Sequence, residues 1–259
     1  MDRFIINYNG NKYLETKKYL KDFIEKSNYE CIIEPFGGIF GFSRYYYLLK
    51  NENKNLKFMI NDIDSELITF YKELKNDLEG TMIKLRKQFD DITKDMTKNI
   101  ELTRYLRDKD DCKFIELISK SIRGTFSISK FNTKFNNFMK KKEEYKDMFE
   151  RTEFYNMDVL DFLRSLTDQK NKLIYFDPPY FNSNNSYYKT YMDNYNDGTT
   201  CYLTILDFFI KTSHPCIFVM NKIDIINHIF KEYYHQEYEG QYQNSAKRKK
   251  HHIIYTKNI

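Results

Sequence analysis

The sequence predicts an α/β protein in which a mostly parallel sheet is covered by helices on both faces and a helical lobe is inserted near the middle. Three observations carry this expectation. Short apolar runs recur along the chain and each ends in polar residues: Cys31-Ile32-Ile33 before Glu34, Phe58-Met59-Ile60 before Asn61-Asp62, Leu173-Ile174-Tyr175-Phe176 before Asp177, and Cys216-Ile217-Phe218-Val219-Met220 before Asn221. Continuous runs of this kind read as strands buried on both faces, since a sheet with one wet face would alternate. Helical stretches such as Ile63 to Leu78 and Tyr202 to Ile210 fall between the runs, as the crossovers of a parallel sheet require. From about Asn76 to Glu150 the runs stop, and the chain becomes charged and helix-rich, with Lys140-Lys141-Lys142-Glu143-Glu144 the densest stretch.

In chain order, Tyr13, Leu20, Phe23 and Ile24 recur at the spacing that lines one face of a helix. The first strand then meets Glu34-Pro35-Phe36-Gly37-Gly38, a glycine turn. Inside the charged region, residues 121 to 137 (SIRGTFSISKFNTKFNN) read as a polar, aromatic and basic loop. Val159 to Leu166 reads as a helix for which Asp158 is placed as the N-cap. At the C-terminal end Tyr233 to Tyr238 and His252 to Thr256 read as two strands of a hairpin. Its tip is basic, ending in Ser245-Ala246-Lys247-Arg248-Lys249-Lys250.

Composition bounds the function classes. A length of 259 residues suits one large domain, or one domain with an insertion. With 42 Lys+Arg against 37 Asp+Glu the net charge is +5, and 41% hydrophobic content is enough for a sizeable core. No run approaches the roughly 18 apolar residues of a membrane span, and Met1-Asp2-Arg3-Phe4 lacks the apolar stretch of a secretion signal. The four cysteines (Cys31, Cys112, Cys201 and Cys216) show no paired spacing and the five histidines offer only His251-His252, so no metal site is expected. Scattered cysteines in apolar surroundings fit small buried hydrophobes in an intracellular, reducing compartment.

Of four prolines, two stand together in Asp177-Pro178-Pro179-Tyr180, directly after a strand. In an open α/β sheet ligands bind at the carboxyl ends of strands, and two prolines project the flanking groups rigidly from that edge. The chemistry suggested is methylation of an exocyclic amino group. Such a nitrogen is a poor nucleophile because its lone pair is delocalised into the base, and acceptors held out of the base plane favour the pyramidal form. The Asp177 carboxylate and the Pro178 carbonyl are two such acceptors, and Tyr180 offers a ring on which a swung-out base can stack. The bland alternative is a strand-exit turn with a core tyrosine. Glycines at Gly37, Gly38 and Gly41 let a ligand approach the backbone, although a plain turn also explains them. Asp62 suits ribose hydroxyls, and equally the N-terminus of the helix that follows it.

Together these pieces resemble the Dam-like, D12-class DNA-adenine N6-methyltransferases of the alpha group, whose order is cofactor loop, recognition insert, then DPPY, and the likeness covers nearly the whole chain. The resemblance implies a Rossmann-like S-adenosylmethionine-dependent methyltransferase sheet with an inserted helical target-recognition lobe. The catalytic domain would comprise residues 1–75 and 150–259, and the DNA-binding insertion residues 76–149. Tyr8-Asn9-Gly10-Asn11-Lys12 is similar to the family's opening motif, which brings Tyr8 and Lys12 to the cofactor. Glu34, Phe36 and Gly38 match its EPF-x-G loop, Asp62 its ribose-binding strand end, and Asp158 the acid that contacts the cofactor's adenine. Asp177 would serve both cofactor and target, with Pro178 and Tyr180 completing the catalytic set. Where the family loop carries a further glycine, this chain has Ile39 and Phe40.

For DNA, the resemblance implies contacts from Arg123, Asn132 and Lys134 in the recognition segment and from Ser186, Tyr187, Tyr188 and Tyr191 in an aromatic loop over the target base. Lys247, Arg248 and Lys249 would add a basic hairpin tip, and Lys12, Arg123, Lys134 and that tip would form a basic face. Expected partners are double-stranded DNA and a restriction endonuclease acting beside the enzyme, with neither membrane nor metal. GATC is offered as a target sequence because related enzymes use it. A cytosine-N4 or RNA-adenine acceptor, or a non-catalytic nucleic-acid-binding subunit of the same fold, remain open alternatives.

Overall fold

The computed structural model describes residues 4–6, 12–96, 98–107, 113–119, 126–167, 171–179, 198–241 and 249–259. Two short helices, α1 (Tyr13–Tyr19) and α2 (Lys21–Lys26), precede β1 (Cys31–Glu34), α3 (Gly41–Lys50), β2 (Lys57–Asn61) and α4 (Ser65–Asn76). Helices α5 (Leu78–Thr93), α6 (Asn99–Arg107), α7 (Lys113–Ser119), α8 (Ile128–Met139) and α9 (Lys142–Glu150) follow. The chain then returns to the sheet through β3 (Thr152–Tyr155), α10 (Val159–Ser165), β4 (Lys172–Phe176), α11 (Gly198–Lys211), β5 (Cys216–Asn221), α12 (Asp224–Ile229), β6 (Tyr234–Gln241) and β7 (Lys249–Lys257).

The strands form one seven-stranded sheet in the order β3-β2-β1-β4-β5-β7-β6. The first five run parallel, and β7 enters antiparallel between β5 and β6. The order reverses between β1 and β4, so a crevice opens at the carboxyl ends of these neighbouring strands. Alternate strand residues divide between two cores. Ile32, Phe58, Ile60, Leu173, Tyr175, Ile217 and Val219 pack with the helices of the N-terminal half, while Ile33, Ile174, Phe176, Phe218 and Met220 pack with α10 and α11. Burial on both faces is why these strands read as continuous apolar runs.

Two parts of the sequence reading are corrected. Residues 128–137, read as part of a loop, belong to the helix Ile128–Met139: Ser127 caps it by accepting from the Lys130 N–H, and Phe131, Phe135 and Phe138 recur at i, i+4 and i+7. Phe131 stacks on Phe89 of α5 with ring centroids 3.6 Å apart, so tertiary packing fixes a segment whose polar composition suggested a loop. The short edge strand β3 was not anticipated, because four residues with only two buried give too little pattern.

The helices within 78–150 share their apolar core with the sheet. The ring of Phe4 makes edge contacts with Phe40 and Tyr71 and also with Phe138, Tyr145 and Phe149 of α8 and α9.

Candidate active site at the carboxyl edge of the sheet

The site assembles where β1, β2, β3 and β4 end. At β1, the buried carboxyl of Glu34 accepts from the Ser43 N–H at 2.7 Å and so caps the first turn of α3 from a separate strand. Burial pushes its pKa up to about 8, against the pull of the Ser43 hydrogen bonds, and the nearby Asp177 charge adds to the rise. Phe36 is half-buried against the core on the α10 and α11 side of the sheet.

The loop from Gly37 to Phe40 is held closely. Gly37 donates to the Asn61 carbonyl at 2.7 Å, and a Cβ there would meet Ile60 Cγ2 at 2.4 Å, so only glycine lets the loop lie against β2. Gly38 has φ +47°, donates its N–H to Asp62 Oδ2 at 2.7 Å and accepts at its carbonyl from the Tyr71 hydroxyl. Phe40 adopts φ +39° and ψ +53°, a left-handed conformation, with its ring wholly buried. Behind the loop, the buried Arg44 donates from Nε to the Ile39 carbonyl, its guanidinium about 5 Å from the Phe4 and Tyr13 rings.

At β2 the other oxygen of Asp62 accepts from the Asp64 N–H, so this carboxylate is fixed before any ligand arrives. Asn61 was not singled out by sequence. Its amide donates to the Pro35 and Met157 carbonyls and accepts from the Met157 N–H, tying together the chain after β1, β2 and β3. A polar residue closing an apolar strand was the available signal. Asp158 caps α10 by accepting from the Leu160 and Asp161 N–H groups, which gives it a structural role whatever else it holds.

Asp177 leaves β4 one residue beyond Phe176, with its side chain 15% exposed and Pro178 buried beside it. Lys12 Nζ lies 3.4 Å from Asp177 Oδ1 and 3.4 Å from Glu15 Oε2. At 4% exposure Lys12 is a buried cation between two carboxylates, and is therefore no part of an exposed basic face. Tyr175, stacked on Phe42, is fully buried, and its pKa is raised first by that burial and then by the Asp177, Glu15 and Glu34 charges.

Asn132 and Lys134 are both half-buried on α8, and Asn132 Oδ1 accepts from Arg86 of α5 at 2.5 Å. Lys249 begins β7. Tyr8, Arg123, Tyr180, Tyr188, Tyr191, Lys247 and Arg248 lie outside the described residues. Among the described residues no cluster of His, Cys, Asp and Glu could hold a metal ion, and no helix is long and apolar enough to cross a membrane.

Known proteins resemble this chain along most of its length. A family model described as "D12 class N6 adenine-specific DNA methyltransferase" matches residues 8–246. The Type II methyltransferase M.CviBI of Paramecium bursaria Chlorella virus NC1A is 24% identical over 260 residues, covering 92% of this chain and 90% of its own length. With a glycine loop, strand-end acids and Asp177-Pro178-Pro179 gathered at one switch point, and the family match spanning all of them, this chain belongs to the D12 class of N6 adenine-specific DNA methyltransferases.

Proposed function

We propose that the protein transfers a methyl group from S-adenosylmethionine to the N6 amino group of an adenine swung out of duplex DNA, by direct in-line attack without a covalent enzyme intermediate. The observation that carries this reading is Asp177 at the open end of β4, held by the buried Lys12, with the Pro178 carbonyl next to it on a backbone whose φ is fixed by proline.

The residues present fit the cofactor. Acids Asp62, Asp158 and Asp177 follow the ends of β2, β3 and β4, beside a β1 loop that keeps glycine at Gly37 and Gly38, an acceptor set suited to ribose hydroxyls, an ammonium group and an adenine amino group. When bound, S-adenosylmethionine supplies an already activated methyl group. Asp62, anchored by Gly38 and Asp64, is assigned to the ribose; Glu34 and Phe36 shape the loop below it. Asp177 and the Pro178 carbonyl accept hydrogen bonds from the N6 amino group and draw its lone pair out of conjugation, so the protein supplies orientation and fixed acceptors. Tyr8 is assigned to the cofactor, Tyr180, Tyr188 and Tyr191 to the extruded base, and Arg123, Asn132, Lys134, Lys247, Arg248 and Lys249 to DNA.

The test is incubation with S-adenosylmethionine and unmethylated duplex DNA, followed by digestion to nucleosides and mass spectrometry, with Asp177→Ala in parallel. Wild type should yield N6-methyladenine, and the variant should lose transfer by about 10²-fold or more while DNA binding survives. N4-methylcytosine, or product from RNA alone, would reassign the acceptor, and the absence of any product would leave a binding subunit. Mapping product on DNA with and without GATC would decide that target, and protection from a cognate restriction endonuclease would place the protein in a restriction-modification pair.

A further inference from the structure

The β6–β7 hairpin reaches the reacting centre through a side-chain chain that the family match does not assign. Tyr238 on β6 is 6% exposed, and its ring lies between Tyr19 of α1, stacked at 4.3 Å, and His252 of β7, stacked at 5.2 Å. These two rings aim the hydroxyl, which donates to Glu15 Oε2 at 2.8 Å. The same Glu15 oxygen lies 3.4 Å from Lys12 Nζ, and Lys12 is 3.4 Å from Asp177. Thus α1, β4 and β6 contribute to one continuous line of polar groups, Tyr238 to Glu15 to Lys12 to Asp177, on one face of the sheet.

We propose that Glu15 and Tyr238 are positioning residues for the methyl-transfer reaction, acting through Lys12 to set how strongly Asp177 is held and where its carboxylate points. The proposal rests on Asp177 being the acceptor for the base's amino group. Lys12 is a single cation shared by two carboxylates. With Glu15 in place its pull on Asp177 is divided, leaving the carboxylate able to accept from the base. Without Glu15, Lys12 closes further onto Asp177 and makes it a weaker, misdirected acceptor. Tyr238 keeps Glu15 in that sharing position by donating to it. Burial, together with the Glu15, Tyr175 and Asp177 groups around it, raises the Tyr238 pKa, so the phenol remains a donor throughout the working range.

The test uses the full chain with Tyr238→Phe, Glu15→Gln and the double variant. Phenylalanine keeps the stacked ring, and Glu15 is 25% exposed, so each change spares the core. Single-turnover methyl transfer, cofactor and DNA dissociation constants and thermal midpoints are measured side by side. Each single variant should lose about tenfold in the transfer rate with the DNA dissociation constant within about twofold and any change in cofactor affinity, felt through Asp177, well below the loss in rate. The double variant should lose no more than the worse single, since both act through one chain. Transfer within about twofold of wild type in Tyr238→Phe overturns the proposal, as does a loss that tracks weaker cofactor binding and a lower midpoint, or losses that multiply in the double variant. Failure of the underlying reading looks different, because then the wild type itself makes no N6-methyladenine or Asp177→Ala retains activity, and the proposal falls with it.

Discussion

Phe40 shows a side chain overriding its own backbone. A non-glycine residue at φ +39° carries a cost of about 1–2 kcal/mol, which glycine would relieve. Against that stands the ring, which meets Phe4 at 5.2 Å and Tyr71 at 5.1 Å in edge contacts, and emptying a site of this size costs about 3–5 kcal/mol. Packing wins, so Phe40→Gly should lower the unfolding free energy by about 2 kcal/mol, read as a lower urea midpoint with unchanged slope. A more stable variant would mean that strain dominates. The sequence alone marked Ile39-Phe40 as a departure from the glycine loop; what it could not give was that the turn keeps a left-handed residue at position 40 without glycine. Asp177 and Glu34 stand out in the sequence because each closes an apolar run, and Asp62 because it follows one at Asn61. The burial of Lys12 was not, since its two carboxylate partners, one of them 165 positions away, meet it only in the folded chain.

At the scale of elements, Asn61 shows how a strand end becomes part of a site. Its amide links the loops after β1 and β3 to the end of β2 through three hydrogen bonds of 3.0–3.2 Å. Alanine there would leave the Pro35 carbonyl and both backbone groups of Met157 without these partners. Asn61→Ala should cost about 2–3 kcal/mol in stability, and isothermal titration should find cofactor affinity weakened about tenfold as the loops loosen. Unchanged affinity would separate this clasp from the binding site. The central parallel strands and the hairpin could be read in advance because their burial follows a long, uniform pattern. Strand β3 could not, being four residues long at an edge, and α8 was hidden because its phenylalanines are spaced among Ser, Asn, Thr and Lys.

For the whole molecule, the fully buried carboxyl of Glu34 couples stability to pH. It titrates at about 8 in the folded protein against an ordinary value of 4.5, so between these values the folded form holds a proton that the unfolded chain has released. Its contribution is full below about pH 4.5 and is lost as pH rises to about 8. Glu34→Gln keeps an acceptor for Ser43 and cannot ionise, so the wild-type thermal midpoint should fall relative to this variant across that window. A constant difference between the two curves would show that Glu34 stays ionised in the native state. The aromatic cluster around Phe4 sets a limit of another kind. Because rings from α8 and α9 close over Phe4, and through it over Phe40 and Tyr71, the helices between β2 and β3 are no detachable cassette. Replacing these helices with a segment from another protein requires Phe138, Tyr145 and Phe149 to travel with it, so what this region can become is bounded by the need to refill one shared aromatic interior.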